Sequence, residues 1–130
     1  MLDHQPDAAG LLSFFYGRFD LKAASTEELE FLSSATAPDE AGALRDTLDG
    51  IACLVSEDLR KERGQRIGNF QEASVPSLLW SIARQVDAIG QMAFIASEAS
   101  YELRSRAARS AVDSSRQRIP KQSSKDTEDA

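Results

Sequence analysis

Residues 79–103 read LWSIARQVDAIGQMAFIASEASYEL, and within them Leu79, Ile82, Val86, Ile89, Ala93, Ala96, Ser100 and Leu103 alternate spacings of three and four without a break. That period belongs to a helix packed along another helix, with these residues at positions a and d of a heptad. With Leu79 at position a, position g holds Leu78, Gln85, Met92 and Ala99, and position e holds the small residues Ala83, Gly90 and Ser97. Gly90 costs about 1 kcal/mol of helix propensity relative to alanine. A close neighbour is expected to offset it.

Upstream, the spacing predicts a partner helix over residues 38–63. Ala41, Leu44, Leu48, Ile51, Val55 and Leu59 step by three or four, and Pro38, Asp39 and Glu40 suit a first turn. Arg60, Lys61 and Arg63 fall where cations complement the C-terminal end of the dipole, and Gly64 fits a stop. Residues 64–74 read as a loop that tucks Ile67 and Phe70 back onto the core. Ser74 and Pro76 then open the long helix, expected over 75–108 and about 50 Å long at 1.5 Å per residue. The two helices are expected to form an antiparallel hairpin.

Two helices seldom exclude water from both faces, so further cover is needed. Ser25-Thr-Glu-Glu28 matches a capping box and predicts a short helix carrying Leu29, Phe31 and Leu32. The stretch 11–21 holds Phe14, Phe15, Tyr16 and Phe19. It fits a short helix broken at Gly17 about as well as a strand. Residues 1–10 read as a flexible lead-in, 11–108 as one helical domain and 109–130 as a disordered, basic and polar tail. The expected fold is all-α, a hairpin with short N-terminal helices that dimerisation could complete to a bundle.

Composition narrows the function. The chain has 130 residues, one domain by length, with 42% hydrophobic and 28% charged residues. Residues 1–103 carry 8 Lys or Arg against 17 Asp or Glu, a net of −9, and residues 104–130 carry 7 against 4, a net of +3. An acidic body argues against nonspecific nucleic-acid binding outside the tail. No stretch reaches the ~18 apolar residues of a membrane span, and the Met-Leu-Asp-His-Gln-Pro start lacks a secretory pattern. A soluble cytoplasmic protein is expected, with no membrane partner.

Chemical motifs are scarce. His4 is the single histidine and sits in the lead-in, away from Cys53, the single cysteine, which reads as a small buried hydrophobe beside Ile51 and Leu54. The carboxylate pairs Asp46/Asp49, Glu57/Asp58 and Glu98/Glu102 read as solvated helix faces. A di-metal bundle site would need histidines the chain lacks, and no glycine-rich phosphate loop occurs. No cofactor, metal or catalytic residue is expected, and the protein reads as a non-enzyme.

What remains is interaction. Leu79, Ile82, Val86, Ile89 and Leu103 form the seam; Trp80, Phe94, Ile95 and Tyr101 project away from it toward the N-terminal aromatics or a second chain, with Trp80, Phe94 and Tyr101 as the outer contact. The expected function is a small adaptor or regulatory protein that binds another protein or itself as a homodimer. One rival is a nucleic-acid regulator whose arm, Arg104, Arg106, Arg109, Arg116, Arg118 and Lys121, holds phosphate. Another is an acidic decoy that offers Asp46, Asp49, Glu57 and Asp58 to a basic partner. Replacing Ile89 with Asp is expected to unfold or dissociate the protein, because an unpaired buried charge is expensive. Circular dichroism and solution mass check it, and retention of both would show the seam misassigned.

Overall fold

The computed structural model describes residues 6–68 and 74–118. Four α-helices follow one another as α1 (Ala8–Tyr16), α2 (Thr26–Ser33), α3 (Ala37–Arg60) and α4 (Val75–Gln117), with one 3₁₀ turn at Arg63–Gln65. No strand occurs among the described residues, so the chain is all-α. Within them, α1, α2 and α3 each pack on α4, and α3 does so least.

Local chemistry sets the helix ends. Asp7 begins α1, its Oδ1 accepting the Gly10 N–H at 2.8 Å, and α1 stops at Gly17. Of the two readings of this aromatic stretch, the helix broken at Gly17 is the one formed, and it starts inside the supposed lead-in. Ser25 and Glu28 make the reciprocal capping box: the Ser25 N–H donates to Glu28 Oε2 at 2.7 Å and the Glu28 N–H to Ser25 Oγ at 3.1 Å. Pro38 lies in the first turn of α3. Ser74 does stand before α4, but its side chain makes no cap bond.

The end of α3 departs from expectation. The helix stops at Arg60 and the chain turns extended at Lys61, three residues before Gly64. Ile67 does not tuck inward and is 74% exposed. Its backbone does the work instead, since the N–H groups of Ile67 and Gly68 both donate to the Asp58 carboxylate, at 2.9 and 3.1 Å. Gly68 adopts φ 65°, the left-handed region that glycine enters without penalty. Phe70 lies outside the described residues.

α4 is 43 residues long, about 65 Å, and overruns its expected end at 108 by nine residues. Ala107, Ala108, Arg109 and Ala111 are good helix formers, and neither glycine nor proline intervenes before Pro120. Residues 109–117 therefore belong to the helix, Arg118 caps it, and the tail from 119 onward lies outside the described residues.

The inward face of α4 is turned relative to the predicted seam. Position d does face the other helices, with Ile82, Ile89, Ala96 and Leu103 half-buried. Position a does not: Leu79 and Val86 are exposed. The inward ridge pairs d with g, where Ala99 is buried and Leu78 and Met92 are half-buried, and adds buried Ile95 alongside. The series Leu78, Ile82, Gln85, Ile89, Met92, Ala96, Ala99 and Leu103 also alternates four and three. Gln85 interrupts its apolarity, which made the other phase look cleaner.

The core is small. Ala24, Leu29 and Ala99 form its buried centre, with Leu21, Leu32 and Leu103 packed around them. Leu29 is fully buried, whereas Phe31, two residues on, is 77% exposed and takes no part in it. Leu29→Ala is expected to lose roughly 2–5 kcal/mol of stability, the range for a buried leucine. Phe31→Ala is expected to change stability by less than about 0.5 kcal/mol. Urea titration followed by circular dichroism measures both.

Candidate functional site

The outer face of α4 opposes the ridge that meets α1, α2 and α3. Leu79 is 58% exposed, Trp80 64%, Val86 53%, Phe94 48% and Tyr101 64%. Ala83, Gly90, Ala93 and Ser97 lie between them on the same side and are also exposed. The large side chains thus flank a floor of small ones. A β-carbon built on Gly90 would meet nothing within 4 Å. The neighbour expected to offset this glycine is not within the described chain.

Cover of this face is confined to one point. The Tyr16 ring meets Phe94 edge-on, with centroids 5.6 Å apart and planes at 82°. Burial, and then the Glu98 carboxylate, hold the Tyr16 phenol above its ordinary value. The expectation that N-terminal aromatics meet the outer residues is thus met at Phe94 alone. Trp80 and Tyr101 stay open.

The three remaining seam residues look elsewhere. Ile82 and Ile89 face α3 across an open groove, Ile89 near Glu40, Leu44 and Thr47, and Ile82 near Leu48, Ile51, Val55 and Leu59. Leu79 sits at the rim where this groove meets the outer face. Leu103 packs in the core instead.

Two carboxylates read as solvated are the buried charged groups. Glu102 Oε1 accepts from Arg106 Nε and from Arg109 Nη2, both at 3.0 Å. Arg106 then reaches across to the turn between α1 and α2, where its Nη2 donates to the Lys22 carbonyl at 3.0 Å and the Leu21 carbonyl at 3.4 Å. Asp58 ties the residues after α3, and Arg66 donates to the Leu59 and Lys61 carbonyls at 3.1 and 3.2 Å, closing the helix end. Sequence reasoning missed Arg66 and Glu102 because each gains its partners only when the chain turns back or packs.

These bonds change the basic arm. Arg106 and Arg109 both bond Glu102; Arg106 is half-buried and drawn into a structural tie, while the Arg109 side chain stays 68% exposed. Arg104, Arg116 and Arg118 are exposed and make no ion pair with a described residue. Lys121 lies outside the described residues. On α3, Arg45 pairs with Asp46 and Asp49 at 3.6 and 3.2 Å, and Asp58 is turned inward, so the acidic set is partly neutralised. Cys53 is exposed, not buried, and His4 lies outside the described residues. Among the described residues no group of three or more His, Cys, Asp or Glu side chains is placed to hold a metal, and no helix is long and apolar enough to cross a membrane.

No family model, no curated protein and no solved structure matches this chain.

The buried carboxylates give the fold a defined acid response. The Arg106 hydrogen bond, with help from Arg109, holds Glu102 below its ordinary value against the opposing effect of burial. The Ile67 amide does the same for Asp58, followed by Gly68, Lys61 and Arg66. A carboxylate with a depressed native value contributes stability that is present above its unfolded value and lost as pH falls through the native one. Thermal stability is therefore expected to hold above about pH 5 and to fall below about pH 4. In Asp58→Asn and Glu102→Gln that acid limb is expected to be shallower, as read from the unfolding midpoint against pH.

Proposed function

We propose that this chain is a small helical adaptor or regulatory protein that works by binding protein through the outer face of α4, without catalysis. The observation that carries this reading is the row Leu79, Trp80, Val86, Phe94 and Tyr101, open to solvent along one side of a continuous helix. Soluble monomers seldom leave large apolar groups contiguous on a surface, and aromatic residues are the commonest anchors of protein interfaces. A helix already held by three others presents these groups at little further entropic cost.

In this reading α3 and α4 form an antiparallel hairpin whose apolar face is incomplete in one chain, and a homodimer is one way to complete a bundle. The exposed Cys53 suits a reducing compartment such as the cytoplasm. The basic arm is the weaker reading, because two of its arginines are engaged by Glu102. The decoy is weaker too, because Asp58 serves the end of α3.

The test compares proteins retained by the full chain with those retained by the double variant Trp80→Glu/Tyr101→Glu. Both positions are exposed, so helicity is expected to be unchanged. Loss of bound protein, self or other, from the variant is the expected result. An identical set retained by both would overturn the reading.

A further inference from the structure

We propose that the occupant of the outer α4 face is the α4 of a second copy of this chain, lying antiparallel, with the two-fold axis passing beside Gly90 and Gln91. This rests on the reading of that face as an interaction surface and names its partner.

The charges decide the direction. Arg84 and Glu98 stand on the same edge of the outer face, two heptads or about 21 Å apart. Parallel copies would set this edge against the opposite edge of the second helix, that of Val86 and Ala93, and leave both charges without a partner. Antiparallel copies centred at Gly90 and Gln91 set Arg84 against the second copy's Glu98, and by symmetry form that pair twice. An isologous interface requires this self-complementarity.

The sizes agree with the same register. Trp80 lies as far before Gly90 as Tyr101 lies after Gln91, so each indole meets a phenol of the second copy. Small residues fill the middle, where two helices come nearest: Ala83 opposes Ser97, and Gly90 lies at the crossing. The empty space over Gly90 is then the place where the second backbone approaches, which accounts for a helix-weakening residue that nothing in the described chain contacts. Asp87 is the one acidic group within the stripe. It shares the row of Trp80, Phe94 and Tyr101 and in this register falls against the second copy's Phe94, the one contact of the register that costs desolvation of a carboxylate.

Intrachain neighbours leave the approach open. Tyr16 meets the face at Phe94 and lies beside half-buried Glu98 at its edge, and the groove with α3 reaches it at Leu79.

The test is sedimentation equilibrium of the full-length chain at low salt, with circular dichroism to establish that each variant is folded. The wild type is expected to reach twice its 14.2 kDa chain mass. Arg84→Glu and Glu98→Arg each place like charges together twice and are expected to weaken association on the order of tenfold or more. The double variant Arg84→Glu/Glu98→Arg is expected to recover it. Gly90→Leu is expected to dissociate the dimer without loss of helicity, because leucine is the better helix former. A wild type that stays monomeric, a dimer indifferent to the single reversals, or a double variant no better than either single one would overturn the proposal. A monomeric wild type whose Trp80→Glu/Tyr101→Glu variant loses another protein would overturn the second copy and leave the interaction face standing. A dimer that this variant leaves intact would overturn both.

Discussion

Everything in this structure leans on α4. Among the described residues the three shorter helices each pack on it, and none packs appreciably on another. A single long helix thereby supplies the wall for every contact, and its inward ridge must serve α1, α2 and α3 in turn. The centre of that arrangement is narrow: Leu29 is the largest side chain fully removed from water, and it lies with Ala24 against Ala99. A ridge with alanine at its middle lets α2 approach closely, but it buries little area.

Polar ties then hold what a thin core cannot hold alone. Arg106 joins Glu102 on α4 to the carbonyls of the turn before α2, so the longest-range hydrogen bonds fasten the N-terminal layer to the spine. Asp58 and Arg66 do the equivalent at the end of α3, one gathering amides and the other carbonyls. Charged hydrogen bonds of this kind are geometrically demanding, and a buried carboxylate left without its donors would be costly. They fix the angle at which each segment leaves its helix. They also make the fold sensitive to acid.

The sequence was legible where the signal was local. The capping box at Ser25–Glu28, proline in the first turns of α3 and α4, and the helical period itself all act within a few residues, whereas residues 11–21 fitted a helix broken at Gly17 and a strand equally. The phase of α4 was not, because two different three-and-four series share Ile82, Ile89, Ala96 and Leu103. Only the position of α1 and α2, which dock on Met92, Ile95 and Ala99, decides between position a and position g as the second inward row. Arg106, Arg109 and Glu102 were misread for a related reason: an i,i+4 pair is visible in sequence, but the backbone carbonyls that recruit Arg106 are some eighty positions away. Trp80, Phe94, Ile95 and Tyr101 were all placed outward by their spacing; three of them stand outward, while Ile95 is buried beside the inward ridge. Leu79 and Val86 joined them when the seam turned.

The two faces of α4 have complementary consequences. One is consumed by the fold, and the other, with bulky ends and a small middle, is exposed and is the face proposed for self-association. Trp80 is the one tryptophan of the chain and stands on that outer face, so its fluorescence reports the state of the face directly. The measurement is Trp80 emission through a protein concentration series spanning association. Burial against a second copy predicts a shift to shorter wavelength as concentration rises. Emission that remains that of an indole in water at every concentration would contradict the assignment of this face to self-association.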